Sequence, residues 1–256
     1  MRKRAAMTVL TAAAAAAAAV GLTAPMAHAD GYGDTKITKV VVNGGKPVVV
    51  DATSAKSFTA SVTATDNSGI KGMDTFRLVG PEVAFANPSG PVKCVKQNAT
   101  TSTCTAKFII DPRADFYDNS PAGNWYVDAW VQANDEDFYA SEKAGSFKVQ
   151  RATKATPADA TPEPVKKGKD ITVTGKLTRA DWTDHKFLGL KDQQVKLQFM
   201  KKGGTAYADV KTVKSGNGGA LKATVKATVD GYFRYVYAGN ATTAPVTSGA
   251  DLIDVR

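Results

Sequence analysis

The segment Phe58-Thr59-Ala60-Ser61-Val62-Thr63-Ala64-Thr65 sets an apolar residue against threonine or serine at every step. Side chains of an extended chain point alternately to opposite faces, so the segment predicts a strand with one buried and one wet face. Asp66-Asn67-Ser68-Gly69 follows directly and is made of turn formers. The same spelling recurs on both sides. Ile37 to Val42 is a β-branched run that ends at Asn43-Gly44-Gly45, and Val48 to Val50 resumes it. Thr75 to Val79 stops at Gly80-Pro81, and Gly123-Asn124 introduces Trp125-Tyr126-Val127-Asp128-Ala129-Trp130-Val131-Gln132-Ala133. Phe147 to Val149 closes this stretch, and no segment of it carries a helical period.

Beyond residue 168 the manner repeats with different residues. Ile171, Val173 and Leu177 alternate with threonine and lysine, as do Val195, Leu197 and Phe199, and then Leu221, Ala223, Val225 and Ala227. Val210 and Val213 lie on a returning arm after Lys201-Lys202-Gly203-Gly204. Phe233, Tyr235 and Tyr237 share one face of a late strand, the core face, and Leu252 to Val255 is the last strand. Short strands with turns at this spacing predict an all-β chain of two immunoglobulin-like β-sandwich domains in tandem. The expected domains are 30–151 and 168–256. Between them, 152–167 holds Pro157, Pro162 and Pro164 and almost no large apolar residue, the composition of a Pro-rich linker.

The first 29 residues differ from the rest. Arg2, Lys3 and Arg4 precede an uncharged, alanine-dominated run, and Ala27-His28-Ala29 is a small-x-small cleavage pattern. This predicts a signal peptide over 1–29 and a secreted, extracellular product with no membrane span in its mature form. Cys94 and Cys104, the two cysteines of a chain bound for an oxidising compartment, are expected to form a disulfide stapling the hairpin Val92–Val95/Thr103–Ile110. The chain has 33 Lys+Arg against 24 Asp+Glu, and without the leader the balance is +6. Residues 30–152 carry 13 basic and 14 acidic side chains, and 153–256 carry 17 and 10. A basic second half favours polyanions, outside a cell an anionic wall polymer more readily than nucleic acid.

Several stretches match a known pattern. Val40-Val41-Val42-Asn43-Gly44-Gly45-Lys46-Pro47, Thr63-Ala64-Thr65-Asp66-Asn67-Ser68-Gly69-Ile70, Pro162-Glu163-Pro164-Val165-Lys166-Lys167-Gly168, Thr172-Val173-Thr174-Gly175-Lys176-Leu177, Val195-Lys196-Leu197-Gln198-Phe199 and Asp230-Gly231-Tyr232-Phe233-Arg234-Tyr235-Val236-Tyr237-Ala238-Gly239 resemble secreted actinobacterial proteins with tandem Ig-like domains, some labelled calcium-binding. The resemblance implies export and the sandwich fold, and it supplies no catalytic residue.

Chemistry is then confined to loops and exposed strand faces. If the Phe58 and Trp125 strands are B and F of a sandwich, their following loops emerge together. Asp66, Asn67, Asn134, Asp135 and Asp137 would converge there as oxygen ligands for Ca²⁺, although the spacing is not that of an EF-hand loop. Asp111, Asp115 and Asp118 fall at the opposite end, in turn-forming sequence. With Trp125, Val127, Ala129 and Val131 inward, Tyr126, Asp128, Trp130 and Gln132 face outward, and Tyr126 and Trp130 offer a binding face for a sugar or protein. Trp182 and Phe187 are expected to pack over the end of the second domain, in the loop that holds His185, the sole histidine outside the leader. A triad would have to use His185, and no G-x-S-x-G elbow supplies a nucleophile. The expectation is a non-enzymatic binding or adhesion module for wall polymer or an extracellular protein. A spacer without a tight ligand and a small hydrolase are the alternatives.

Overall fold

The computed structural model describes residues 29–256, so the expected leader lies outside the described residues except for Ala29. The first half runs β1 (Ala29–Tyr32), β2 (Lys36–Val42), β3 (Val48–Val50), β4 (Lys56–Thr65), β5 (Ile70–Val79), β6 (Phe85–Ala86), β7 (Lys93–Lys96), β8 (Thr101–Ile110), a one-turn helix α1 (Pro112–Asp115), β9 (Gly123–Ala133) and β10 (Phe138–Arg151). One sheet has the order β2-β4-β8-β7. The other has the order β1-β10-β9-β5-β6, with β3 added parallel to β10. This is the A-B-E-D against G-F-C arrangement of an Ig-like sandwich, with β4 as B and β9 as F.

Alternation does what the spelling requires. Phe58, Ala60, Val62 and Ala64 of β4 are all buried, as are Trp125, Val127, Ala129 and Val131 of β9. They meet Phe76, Leu78, Phe108 and Ile110 in one core, where Phe76 and Phe108 pack edge to face at 5.3 Å. The buried indole of Trp125 keeps its polar atom satisfied by donating to the Pro121 carbonyl at 2.7 Å. Cys94 and Cys104 are direct register partners on β7 and β8 and form the expected disulfide.

The second half runs β11 (Thr153–Ala155), β12 (Asp159–Thr161), β13 (Asp170–Asp181), β14 (Lys186–Gly189), β15 (Gln194–Lys201), β16 (Ala208–Lys214), β17 (Ala220–Lys226), β18 (Gly231–Tyr237), β19 (Val246–Thr247) and β20 (Asp251–Ile253). β13 pairs with β11, β12, β14 and β17, and β15 and β18 form the centre of the facing sheet. Phe233, Tyr235 and Tyr237 are buried with Leu177 and Leu197, and the Tyr235 hydroxyl crosses between the sheets to donate to the Val173 carbonyl at 2.8 Å.

Residues 152–167 differ from the expected spacer. Thr153–Ala155 and Asp159–Thr161 are strands on β13, and Ala158, Ala160 and Val165 are buried in the second core. Strand pairing here is made by backbone, and short side chains are enough to seal an edge. The prolines lie just outside the paired residues, where no ladder donor is missed. Only Ala152 separates the last strand of one sandwich from the first of the next.

That direct crossing creates a buried joint. Trp182 is fully buried in the core of the first sandwich, not over the end of the second: its ring lies 4.5 Å from Phe116 and its indole N–H donates to the Asp51 carbonyl at 3.0 Å. Arg151, only 7% exposed, donates through Nε to the Ala180 carbonyl at 2.6 Å and through Nη2 to Asp181 at 3.0 Å. Asn119 donates to the same carboxylate at 2.9 Å and accepts from the Trp182 N–H at 2.9 Å. Burial and the neighbouring Arg179 push the Arg151 guanidinium down to about 10, an effect that Asp181 opposes, and it remains cationic at neutral pH. Burial pushes the Asp181 carboxyl up, but the Asp184 N–H, Asn119 and Arg151 together hold it below the ordinary carboxylate range.

Two outcomes follow for the joint. Trp182→Ala should cost about 3–5 kcal/mol and split the urea unfolding curve, followed by far-ultraviolet circular dichroism, into two steps. A single transition at the wild-type midpoint would contradict the shared core. Because the Asp181 carboxyl titrates lower in the folded chain than the unfolded value of about 3.9, its stabilisation is complete above that pH and is lost as pH falls through the folded value. Asp181→Asn should therefore flatten the acid limb of stability against pH.

Candidate functional site

The B–C and F–G loops meet as expected. Asn134 donates from Nδ2 to the Ser68 carbonyl at 2.8 Å and from its backbone to the Gly69 carbonyl at 3.0 Å, and the Asp135 N–H reaches the Ser68 hydroxyl at 3.2 Å. Gly69, at φ +86°, lets the B–C loop also lie against the turn between β7 and β8, since a Cβ there would press on the Ala99 carbonyl at 2.7 Å. The carboxylates that converge are Asp34, Asp66 and Asp137, with one oxygen of each within 4.8 Å of the others. Asp66 and Asp137 belong to the expected set. Asp135 is not among the three converging carboxylates; Asn67, Asn134 and Asp135 are exposed, and Asn134 and Asp135 serve the loop–loop contact.

Asp34 was not legible as a member. It arrives because β1 pairs with the start of β10, and its N–H donates to Asp137 Oδ2 at 3.1 Å. The preceding Gly33 is the one sequence signal: at φ +79° it leaves room where a Cβ would collide with the Asp137 carboxylate. Asp66 is 3% exposed and accepts from the Thr35 hydroxyl at 2.6 Å, the Ser68 hydroxyl at 2.6 Å and the Ser68 N–H at 2.8 Å. Burial pushes its carboxyl up, and these hydrogen bonds more than offset it, so it titrates below the ordinary range. Three carboxylates at this spacing suit a hard cation such as Ca²⁺.

The second acidic set is turn chemistry. Asp111 caps α1 by accepting from the Arg113 N–H at 3.0 Å, Asp115 accepts from the Asp111 N–H at 2.7 Å, and Asp118 accepts from the Ser120 N–H at 2.8 Å. Asp115 and Asp118 nevertheless line a cleft of about 850 Å³ between the β6 edge and the α1 region. Its other acid is Glu82, and no basic side chain lines it. Four of the large apolar side chains that the described chain exposes lie in it: Val83 (85% exposed), Phe85 (57%), Ile109 (41%) and Tyr117 (94%). Sequence reading missed the cluster: Val83 and Tyr117 occupy irregular segments without a period, Phe85 lies on the two-residue β6, and Ile109 is an outward residue of β8.

The expected aromatic face is less open. Trp130 is 40% exposed beside Phe138 at 5.5 Å, and Tyr126 is half-buried with Lys143 over its ring at 4.9 Å. Between them Asp128 is buried, against the expectation of an outward polar residue, because Arg77 donates to it at 2.5 and 3.1 Å and covers it. His185 Nδ1 is buried with no hydrogen-bond partner, and the residue sits at φ +50° in the turn after β13.

No protein-family model matches this chain, and no curated protein does. Among solved structures it is similar to a DUF4785 family protein from Legionella pneumophila, at 14% identity over 81% of this chain, with a TM-score of 0.37. The chain spans 56% of that protein's length. It is also similar to the D00-D0 domain of intimin, at 12% identity, covering 84% of this chain and 99% of that one, with a TM-score of 0.29. The mouse nectin-like molecule 4 ectodomain, Ig1–Ig3, is similar at 12% identity over 88% of this chain and 65% of that one, with a TM-score of 0.25. The tandem of Ig-like β-sandwiches rests on this chain's own strand order and its two buried cores.

Asp66→Asn should cost about 2–3 kcal/mol in urea unfolding at neutral pH, the worth of hydrogen bonds to a buried charge. Asp135→Asn, at an exposed position, should stay within about 0.5 kcal/mol. Equal losses would mean that Asp66 has no special place in the loop cluster.

Proposed function

We propose that this chain is a secreted, non-enzymatic binding or adhesion-type module that engages an extracellular protein through the cleft beside the joint. The observation that carries the reading is the convergence of Val83, Phe85, Ile109 and Tyr117 in one acid-rimmed concavity. Contiguous exposed apolar surface rimmed by polar groups is the mark of a docking site. Glu82, Asp115 and Asp118, with no lining cation, specify a partner segment that interleaves basic and apolar residues. An anionic wall polymer, the other expected partner, would be repelled from this cleft.

The buried joint supports a second element of the expected function, the spacer. Trp182 and Arg151 hold the two sandwiches to one another, so the module also carries its cleft at a fixed place on a stiff body. A cation at Asp34, Asp66 and Asp137 would brace the free end of that body.

A fluorescent peptide alternating lysine with valine and tyrosine should bind the mature chain, and its counterpart with glutamate for lysine should not. Tyr117→Ala, at an exposed position that leaves stability unchanged, should weaken the basic peptide about tenfold. Equal binding of both peptides, or indifference to Tyr117→Ala, rejects the cleft. Separately, millimolar Ca²⁺ should raise the thermal midpoint by mass action, and Asp34→Asn should remove the rise. An unchanged midpoint in the wild-type chain discards the cation.

A further inference from the structure

The excess positive charge of the second half is not spread evenly over its strands. β13 runs from Asp170 to Asp181, and Asp181 lies in the joint, so the Asp170 end is the free tip of the second sandwich. Four segments are tied together there by backbone hydrogen bonds. The Lys167 N–H donates to the Arg256 carbonyl at 2.8 Å and the Val165 N–H to the Asp254 carbonyl at 2.9 Å. The Gly168 N–H donates to the Ala227 carbonyl at 2.6 Å, and the Lys202 N–H to the Asp230 carbonyl at 2.9 Å. The Val255 N–H closes the set on Asp230 Oδ1 at 2.9 Å. Lys166–Lys169 is itself a tight turn, closed by Lys169 N–H to the Lys166 carbonyl at 3.1 Å, with Gly168 at φ +82°.

This framework gathers seven cations and four carboxylates, Glu163, Asp170, Asp230 and Asp254, on one tip. Lys202, Lys226 and Arg256 pair with Asp230, Asp170 and Asp254 at 3.6, 3.2 and 3.0 Å. Lys166, Lys167, Lys169 and Lys201 are exposed, and among the described residues no carboxylate lies within ion-pair distance of them. Four like charges held without counterions on a hydrogen-bonded scaffold attract an anion that can touch several of them at once.

We propose that this tip binds a flexible phosphodiester polymer through its backbone charge. Lysine ammonium groups are point charges suited to phosphate, and the one guanidinium of the tip, on Arg256, is already engaged by Asp254, so bidentate carboxylate recognition is not offered. No aromatic side chain is exposed at the tip, so bases would find no stacking platform, which disfavours single-stranded nucleic acid. Phe199 and Val225 are recessed in the sandwich mouth, and Val210 of β16 is the one large apolar side chain exposed there among the described residues, too little apolar surface for insertion into a lipid surface. The surface lies in the other sandwich from the acid-rimmed cleft and stands or falls independently of it.

The test is binding of fluorescently labelled poly(glycerol phosphate) to the mature chain, read by anisotropy at two ionic strengths. The wild-type chain should bind, with affinity falling steeply as salt rises. Substituting Lys166→Glu, Lys167→Glu, Lys169→Glu and Lys201→Glu together should lower affinity by at least about tenfold. The milder Lys→Gln quartet, which keeps the loop shape, should lose less. A quartet of equal charge change in the first sandwich, Lys71→Glu, Lys93→Glu, Lys96→Glu and Lys107→Glu, should keep affinity within about twofold. Equal thermal midpoints of the two quartets exclude misfolding as the cause of a loss. No binding by the wild-type chain overturns the proposal, as do equal losses in both quartets, tighter binding of single-stranded DNA, or preference for phosphatidylglycerol vesicles.

Discussion

Burying an arginine is costly unless every donor of its planar head is met and a carboxylate answers its charge. At Arg151 two of those donors, Nε and Nη2, and the charge are answered from the other sandwich: the Ala180 carbonyl and the Asp181 carboxylate both come from β13. The two sandwiches are therefore coupled by electrostatics as well as by shape. Trp182 completes the arrangement from the same strand end, giving the first core a wall that its own residues do not supply. Loss of Trp182 would leave a cavity in the first core, and loss of Asp181 would leave the Arg151 charge buried without its partner.

A joint of this kind sorts the loops by place. The Asp111–Pro121 region is pinned beside the joint, where Asn119 reaches Asp181 and Trp182, and its remaining side chains line the cleft. The acidic loops of the first sandwich and the lysine loops of the second fall at opposite free ends. Opposite charge at the two tips gives the molecule a polarity that a chain-wide balance conceals. The net charge of the whole sequence therefore says little about what any one surface attracts.

Much of the fold was legible because alternation is a local property. Phe58 to Thr65 and Trp125 to Ala133 are each buried on the face their own spelling assigns, and the B and F assignment that follows brings the right loops together. What could not be read depended on partners distant in the chain. Asp34 becomes a neighbour of Asp137 through pairing across more than a hundred residues. The strands at Thr153–Ala155 and Asp159–Thr161 are ordered by the backbone of β13, and side-chain composition carries no record of that. Asp128 reads as a wet residue and is dry because Arg77, on the neighbouring strand, lies across it. Trp182 has the composition of a loop aromatic, and only the absence of any spacer after Arg151 carries it into the first core.

The parallel pairing of Val48–Val50 with Val149–Arg151 has a mechanical meaning. Tension applied along the polypeptide enters β3 from its N-terminal side and leaves β10 toward the second sandwich. In strands that run the same way these pulls point in opposite directions along the shared ladder. The rungs are then strained side by side and must rupture together, whereas an antiparallel hairpin pulled at its open end unzips one rung at a time. A chain anchored at one tip and tugged at the other would meet that shear clamp next to its stiff joint.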